Sequence, residues 1–431
     1  YPISGQTATI YAGLNIGPIS GTSTSITINS SGGDIILRGQ SGSNTSLPGI
    51  SSQANFSIDA GTGQIVMDGT TTTGHGIELT YAAAPNIAIT SASTATPAIQ
   101  ITGSTSNTGY FGFWASNNLT GNILIQSTAN TGGGVTISGT GSGNGLCLGT
   151  QSASCTQTIQ LLSQNGDINL IGQNGAGLTT HVLRLEGETY IGNRKNSTAV
   201  NGITPSVTAS SANVSLQGDY LNFTSNTSLN NHVSTTGKLD ISPYSASFGS
   251  TFTWNGSISG SDFIGSSSVS RLKILNYANL SIFSLGKTSN TSSIQIDGPL
   301  SVGGAINLYG GVVGVNANIT SSNTGNIFIQ ASSSTNPGIH INTGQILKTG
   351  GDRSTLTLKS NNRLTVSNNI TATNTALDVV LWSDYSNNVH GGVTLGQTIV
   401  TNGGHVWIGG SSTANGSLTW NGLTVGDGPS E

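Results

Sequence analysis

The sequence predicts an all-β fold, a right-handed parallel β-helix (β-solenoid). Three observations predict it: a short Gly–polar–apolar–x–apolar unit recurs along the chain, turn-forming residues bracket each copy, and no stretch carries a sustained apolar stripe at helical spacing. The unit appears at Gly33-Asp34-Ile35-Ile36-Leu37, Gly63-Gln64-Ile65-Val66-Met67, Gly121-Asn122-Ile123-Leu124-Ile125 and Gly166-Asp167-Ile168-Asn169-Leu170. It returns at Gly237-Lys238-Leu239-Asp240-Ile241, Gly325-Asn326-Ile327-Phe328-Ile329 and Gly404-His405-Val406-Trp407-Ile408. Longer echoes are GDIILRGQSG from Gly33, GDINLIGQNG from Gly166, and Thr253-Trp254-Asn255-Gly256 matched by Thr419-Trp420-Asn421-Gly422.

Between these lie minimal strands such as Ile87-Ala88-Ile89, Ile99-Gln100-Ile101, Val135-Thr136-Ile137 and Leu364-Thr365-Val366. Apolar residues at i and i+2 share one face of a strand, and β-branched side chains fit that face. Gly, Asn and Ser on either side supply turns, and the runs Gly132-Gly133-Gly134 and Gly141-Ser142-Gly143-Asn144-Gly145 are read as turns. Strands this short are too small for an antiparallel sandwich of such length. In a solenoid each rung is completed by the rung above it, at ~4.8 Å per coil. A coil of ~20 residues would give a rod of ~100 Å. Asn and Ser at the corners are expected to form stacked ladders.

Composition sets the function classes. Only 6% of the 431 residues are charged and the net charge is -4, against ~25% charged in ordinary domains. Hydrophobic residues still make up 34%, in alternating clusters that disorder does not require. No Lys/Arg run exists to neutralise a row of phosphates, so no nucleic-acid partner is expected. No apolar stretch approaches the ~18 residues of a membrane span, so no membrane insertion is expected. The start, Tyr1-Pro2-Ile3-Ser4-Gly5, does not read as a signal peptide. The chain is expected to be one continuous solenoid over 1–431, a mature product or a piece of a longer exoprotein.

The two cysteines, Cys147 and Cys155, bracket a short Gly/Ser-rich loop. A local disulfide is expected in an oxidising compartment; the other reading is a pair of half-buried thiols.

The segment from Ser354 to Gly410 carries a resemblance. Thr355-Leu356-Thr357-Leu358, the block Leu377-Asp378-Val379-Val380-Leu381-Trp382-Ser383-Asp384, Gly392-Val393-Thr394-Leu395-Gly396 and Thr401-Asn402-Gly403-Gly404 are similar to the repeat region of filamentous-haemagglutinin-type exoproteins, the large adhesins of bacterial two-partner secretion. A looser likeness of G-[ND]-I-x-[IL] coils covers nearly all of the chain. The resemblance implies a right-handed parallel β-helix, export across a bacterial outer membrane by a partner transporter, an extracellular, cell-surface location, and roles in adhesion or biofilm. The family's secretion-domain motif, of NPNG or NPNL type, has no match here; Pro85-Asn86-Ile87 is a partial echo.

No catalytic, cofactor-binding or metal site is expected. The densest ionisable stretch holds His181, Arg184, Glu186, Glu188, Arg194 and Lys195. The spacing Arg184-x-Glu186-x-Glu188 would put three charges on one strand face, read as a solvated face with local ion pairs. Paired carboxylates do acid/base work in glycosidases, but nothing beside this pair marks a nucleophile. The six histidines, His75, His181, His232, His340, His390 and His405, lack metal-ligand spacing and are read as structural or surface residues. The densest aromatic stretch is Tyr110-Phe111-Gly112-Phe113-Trp114. Alternation would put Phe111 and Phe113 on one face, and Tyr110 and Trp114 on the other as a contact patch for sugar or protein. The function these features predict is a structural or adhesive surface protein that meets surface glycans or receptor proteins. A self-assembling filament subunit is the alternative; a carbohydrate-active β-helix enzyme is a third class whose residues are lacking.

Overall fold

The computed structural model describes the chain except residues 1–12, 18–24, 43–45, 53, 80–85, 116–120, 150–157, 175–181, 187, 224–230, 256–271, 276, 335–337, 387–390, 411–417, 421–422 and 426–431. It divides into two compact units. The first comprises Tyr1–Ala212 with Leu216–His232, the second Asn213–Ser215 with Val233–Glu431. Each is a right-handed parallel β-solenoid, the hand that parallel crossovers take. The single helical turn among the described residues is a 3-10 turn at Tyr277–Asn279.

In the first unit every coil contributes one strand to each of three parallel sheets. The first sheet holds Ile50–Ser52, Ile77–Glu78, Phe111–Ala115, Asn144–Gly149 and Leu183–Glu186; the second holds Phe56–Asp59, Ile87–Ser91, Asn122–Ser127, Thr158–Ser163 and Glu188–Gly192. The third holds Ile35–Ser41, Ile65–Thr71, Ile99–Thr105, Val135–Gly141 and Ile168–Asn174. Apolar rungs stack in register: Ile65, Ile99, Val135 and Ile168 form one inward column, and Met67, Ile101, Ile137 and Leu170 the next, all fully buried. Each such side chain contributes about 1.5–3 kcal/mol through burial.

The coils are longer than expected. Stacked partners in the first unit stand 27 to 38 residues apart; in the second they stand 19 to 44 apart. The reason lies in the third sheet, whose strands run seven residues. Read as punctuation, Gly39 ends a strand. In the structure the strand continues through it, and Gly39, Gly69, Gly103, Gly139 and Gly172 form an in-register spine on the inner face. A Cβ at Gly103 would stand 2.0 Å from the carbonyl oxygen of Gly112, and one at Gly139 would stand 2.3 Å from that of Gly145. Here the first and third sheets meet backbone to backbone, which only glycine permits. The run Gly132–Gly134 is a turn, with φ of 62°, 77° and 108°.

Corner amides form the expected ladders. The Asn86 N–H donates to Asn55 Oδ1 at 2.8 Å and the Asn122 N–H to Asn86 Oδ1 at 3.1 Å. Each coil thereby satisfies a backbone donor of the next without charge.

The second unit repeats the architecture in three sheets. One holds Lys238–Ser242, Ile282–Leu285, Ala305–Gly310, Ile327–Ala331, Ser354–Ser360, Leu377–Ser383 and Val406–Gly410; the short strands Ile294–Ile296 and Ile319–Ser321 belong to the other two. Leu377–Ser383, from the most family-like block, is buried along its whole length. The echoed Thr-Trp-Asn-Gly motifs part company. Phe252–Trp254 joins a parallel sheet, whereas Leu418–Trp420 pairs antiparallel with Leu423–Val425.

Candidate functional site

The outward face of the first unit's first sheet gathers the aromatic residues. Phe113 pairs with Ile77 and Leu146 and is fully buried, so it is core. Phe111 does not share its face. The alternation breaks at Gly112, whose inner side is pressed onto Thr140: a Cβ there would stand 2.2 Å from the Thr140 nitrogen. Phe111 therefore emerges with Trp114, at 6.3 Å between ring centroids and 21° between planes. His75, one coil earlier, stacks on Phe111 at 5.9 Å and 11° and lies 4.4 Å from Trp114. Tyr110 meets the His75 ring edge-on at 4.9 Å, and its hydroxyl donates to Ser46 Oγ at 2.7 Å. Tyr110, Phe111 and Trp114 are half-buried. The expected patch of Tyr110 and Trp114 is thus a four-ring cluster drawn from successive coils.

Sequence reasoning missed His75. The dipeptides Gly49-Ile50, Gly76-Ile77, Gly112-Phe113 and Gly145-Leu146 fall on stacked rungs, and aligning them would have set His75 over Phe111. His75 Nδ1 accepts the Phe111 N–H at 3.1 Å, so that nitrogen is unprotonated. Burial brings the imidazole pKa down to about 4.

Two coils further on, Arg184 lies over the Phe111 ring, its guanidinium carbon 5.5 Å from the centroid. Trp114, Cys147 and Arg184 occupy one column of the sheet. Arg184 Nε donates to Glu186 Oε1 at 2.6 Å, and Glu186 is buried. The expectation that Arg184, Glu186 and Glu188 share a strand face is corrected. Glu186 ends a strand of the first sheet and Glu188 begins one of the second. Glu188 binds Lys195 Nζ at 2.5 Å and accepts the Tyr190 hydroxyl at 2.9 Å. Burial alone would raise its pKa, but the bonds from Lys195 and Tyr190 and the lysine charge outweigh burial and hold the carboxyl below its ordinary value. His232 stacks on Tyr190 at 4.4 Å.

Cys147 is corrected in its environment. It sits on the strand Asn144–Gly149 rather than in a loop, and it is a buried free thiol. Burial, then the Glu186 charge, pushes its pKa up. Its expected partner Cys155, like His181 and His390, lies outside the described residues. In the second unit Arg353 grips Asp378 with two bonds of 2.7 and 2.5 Å, and Asp378 also accepts the His405 N–H. Among the described residues no group of three or more His, Cys, Asp or Glu stands where it would hold a metal ion.

These shifts fix a pH dependence. His75 has a folded value depressed below the ~6.5 of an unfolded histidine, so the unfolded chain binds the extra proton between the two values. Stability is expected to fall as pH drops from about 6.5 to about 4. Glu188 and Asp378, also depressed, extend the loss below their unfolded values of ~4.3 and ~3.9. Urea melts across pH 3–8 check this, and His75→Gln should flatten the limb between pH 6.5 and 4.

No protein-family model, curated protein or solved structure matches the chain.

Proposed function

We propose that this chain is a secreted structural and adhesive protein of a bacterial surface, akin to filamentous-haemagglutinin-type exoproteins, whose partners are an outer-membrane transporter and surface glycans or receptor proteins. The observation that carries the reading is the outward face of the first unit's third sheet. Gln100, Thr102 and Ser104 on one rung stand in register with Thr136, Ser138 and Thr140 on the next and Asn169, Ile171 and Gln173 on the third. Their side chains bond from rung to rung: Ser104 Oγ to Thr70 Oγ1 at 3.2 Å, Asn169 Nδ2 to Thr136 Oγ1 at 3.3 Å, and Thr140 Oγ1 to Gln173 Oε1 at 3.2 Å. An ordered face of hydroxyls and amides makes many weak, uncharged contacts, which suits sugars and protein surfaces.

Beads coated with the purified chain should be retained on host-cell or biofilm-matrix surfaces several-fold above albumin-coated beads. With so little charge on the chain, that retention should survive ~0.5 M salt. Retention no better than albumin, or abolished by salt, would remove this reading.

A filament subunit is the second reading, favoured by one observation. Val406 and Ile408 pair with the fully buried Val379 and Leu381, yet they are 37% and 46% exposed. Leu395 and Val400, on the preceding strands Val393–Leu395 and Ile399–Val400, are also exposed. An exposed apolar rung is a surface that pairing with another copy of the chain can cover. Regular polymers in electron micrographs of purified material would support the filament; discrete particles would support the adhesin.

A further inference from the structure

We propose that the cluster of His75, Tyr110, Phe111 and Trp114, with Arg184 beside it, is a glycan subsite that takes a neutral pyranose unit. The proposal deepens the adhesive reading above and rests on it. Three features carry it.

The first is shape. Phe111 is nearly parallel to both His75 and Trp114, at 11° and 21°; Phe111 and Trp114 stand half-buried on one strand, and the buried His75 packs against both. A pyranose offers one face of axial C–H groups with slight positive charge, and these seat on the negative faces of aromatic rings. Tyr110 stands edge-on at the border, with its hydroxyl and Ser46 Oγ already bonded to each other. That pair is placed to exchange bonds with ring hydroxyls.

The second is rigidity. His75 is held by the Phe111 backbone N–H, and Tyr110 by Ser46. Arg184 is held by Glu186 while lying over Phe111. A preformed platform loses little side-chain entropy when a sugar arrives, which is what weak single-sugar contacts require.

The third is charge, which selects the class of sugar. The cation nearest the rings among the described residues, Arg184, is neutralised by the buried Glu186. His75 contributes no charge, because Nδ1 is occupied as an acceptor. A uronate or sialate would bring an anion to a site whose cation is already spent. A quaternary ammonium would compete with the guanidinium over Phe111. A neutral hexose seated on Trp114 meets neither penalty.

The test is calorimetric titration of the full chain with neutral probes (maltopentaose, cellopentaose and a β-galactan pentamer) and with a trigalacturonate as the acidic probe. At least one neutral probe is expected to bind, and the acidic probe to bind at least about tenfold more weakly, a difference of ~1.4 kcal/mol. Trp114→Ala should weaken the neutral probe at least about tenfold, as loss of one stacking ring requires, whereas Trp407→Ala in the second unit should not. Saturation-transfer NMR on the unmutated chain, with contacts from sugar C–H protons to indole and phenol ring protons, keeps the test open if Trp114→Ala fails to fold. Preference for the acidic probe, or neutral binding that ignores Trp114 and shows no ring contacts, overturns the subsite. If the coated beads adhere while no neutral probe binds, the subsite fails and the adhesive reading stands; if the beads do not adhere, the adhesive reading fails on its own measurement.

Discussion

Gly103→Ala is expected to destabilise the first unit by about 3 kcal/mol or more, at the upper end of what overpacking costs. The added Cβ would meet the Gly112 carbonyl oxygen at 2.0 Å, its carbon at 2.7 Å and the Ile77 nitrogen at 3.1 Å. All three are backbone atoms of the neighbouring sheet, and none can rotate away as a side chain would. Relief requires the first and third sheets to separate locally, yet both are pinned above and below by ladder hydrogen bonds to the next coils. The internal control is Gly42→Ala, where no atom lies within 4 Å and φ is not left-handed. That change should fall within about 0.5 kcal/mol of the parent, or stabilise by ~0.4–1 kcal/mol by restricting the unfolded chain. Urea melts of the two variants decide the point. Equal midpoints would mean that the glycine spine is not a close-packing device.

The same spine marks where the sequence was legible and where it was not. Apolar columns such as Ile65–Ile99–Val135–Ile168 were readable, because period-two burial is written in adjacent residues. The turn at Gly132–Gly134 was readable for the same local reason. The spine of Gly39, Gly69 and Gly103 is not legible, because a glycine chosen for backbone approach looks identical, in one dimension, to a glycine chosen for a turn. The aromatic cluster was half legible. Tyr110 and Trp114 announce themselves by proximity, but His75 and Arg184 reach them only through the stacking register, which spans tens of residues and is set by packing in three dimensions. Phe111 defied strict alternation because of Gly112's contact with Thr140. Glu186 and Glu188 were separated by a change of sheet that the pattern Arg-x-Glu-x-Glu does not reveal. Lys348 shows the opposite limit. It is fully buried, its ammonium bound to the Asn323 carbonyl and 3.4 Å from Ser321 Oγ. Nothing in Gln345-Ile346-Leu347-Lys348 distinguishes it from a solvated lysine.

Ile137→Ala is expected to cost about 2–5 kcal/mol, the range for truncating a fully buried aliphatic side chain when the surroundings only partly collapse. Ile137 is completely buried, with Ile101 on one side and Leu170 on the other in the same inward column. Collapse is limited, because each neighbour is fixed at the rung spacing by its own backbone ladder. By contrast, Ile36→Ala, at a position 57% exposed on the outer face of the same sheet, should stay within about 0.5 kcal/mol of the parent. The solenoid makes a sharper demand on pairs. Ile101 and Ile137 touch along the column, whereas Ile101 and Leu170 are separated by the intervening rung. The double variant Ile101→Ala with Ile137→Ala should therefore depart from additivity by ~0.5–3 kcal/mol, because the two truncations share one cavity. The pair Ile101→Ala with Leu170→Ala should add within ~0.5 kcal/mol. Such nearest-neighbour coupling is the energetic signature of a one-dimensional stack. It is read from urea melts of the single and double variants, and coupling as strong across the intervening rung as between adjacent rungs would contradict the stacked-coil account of the core.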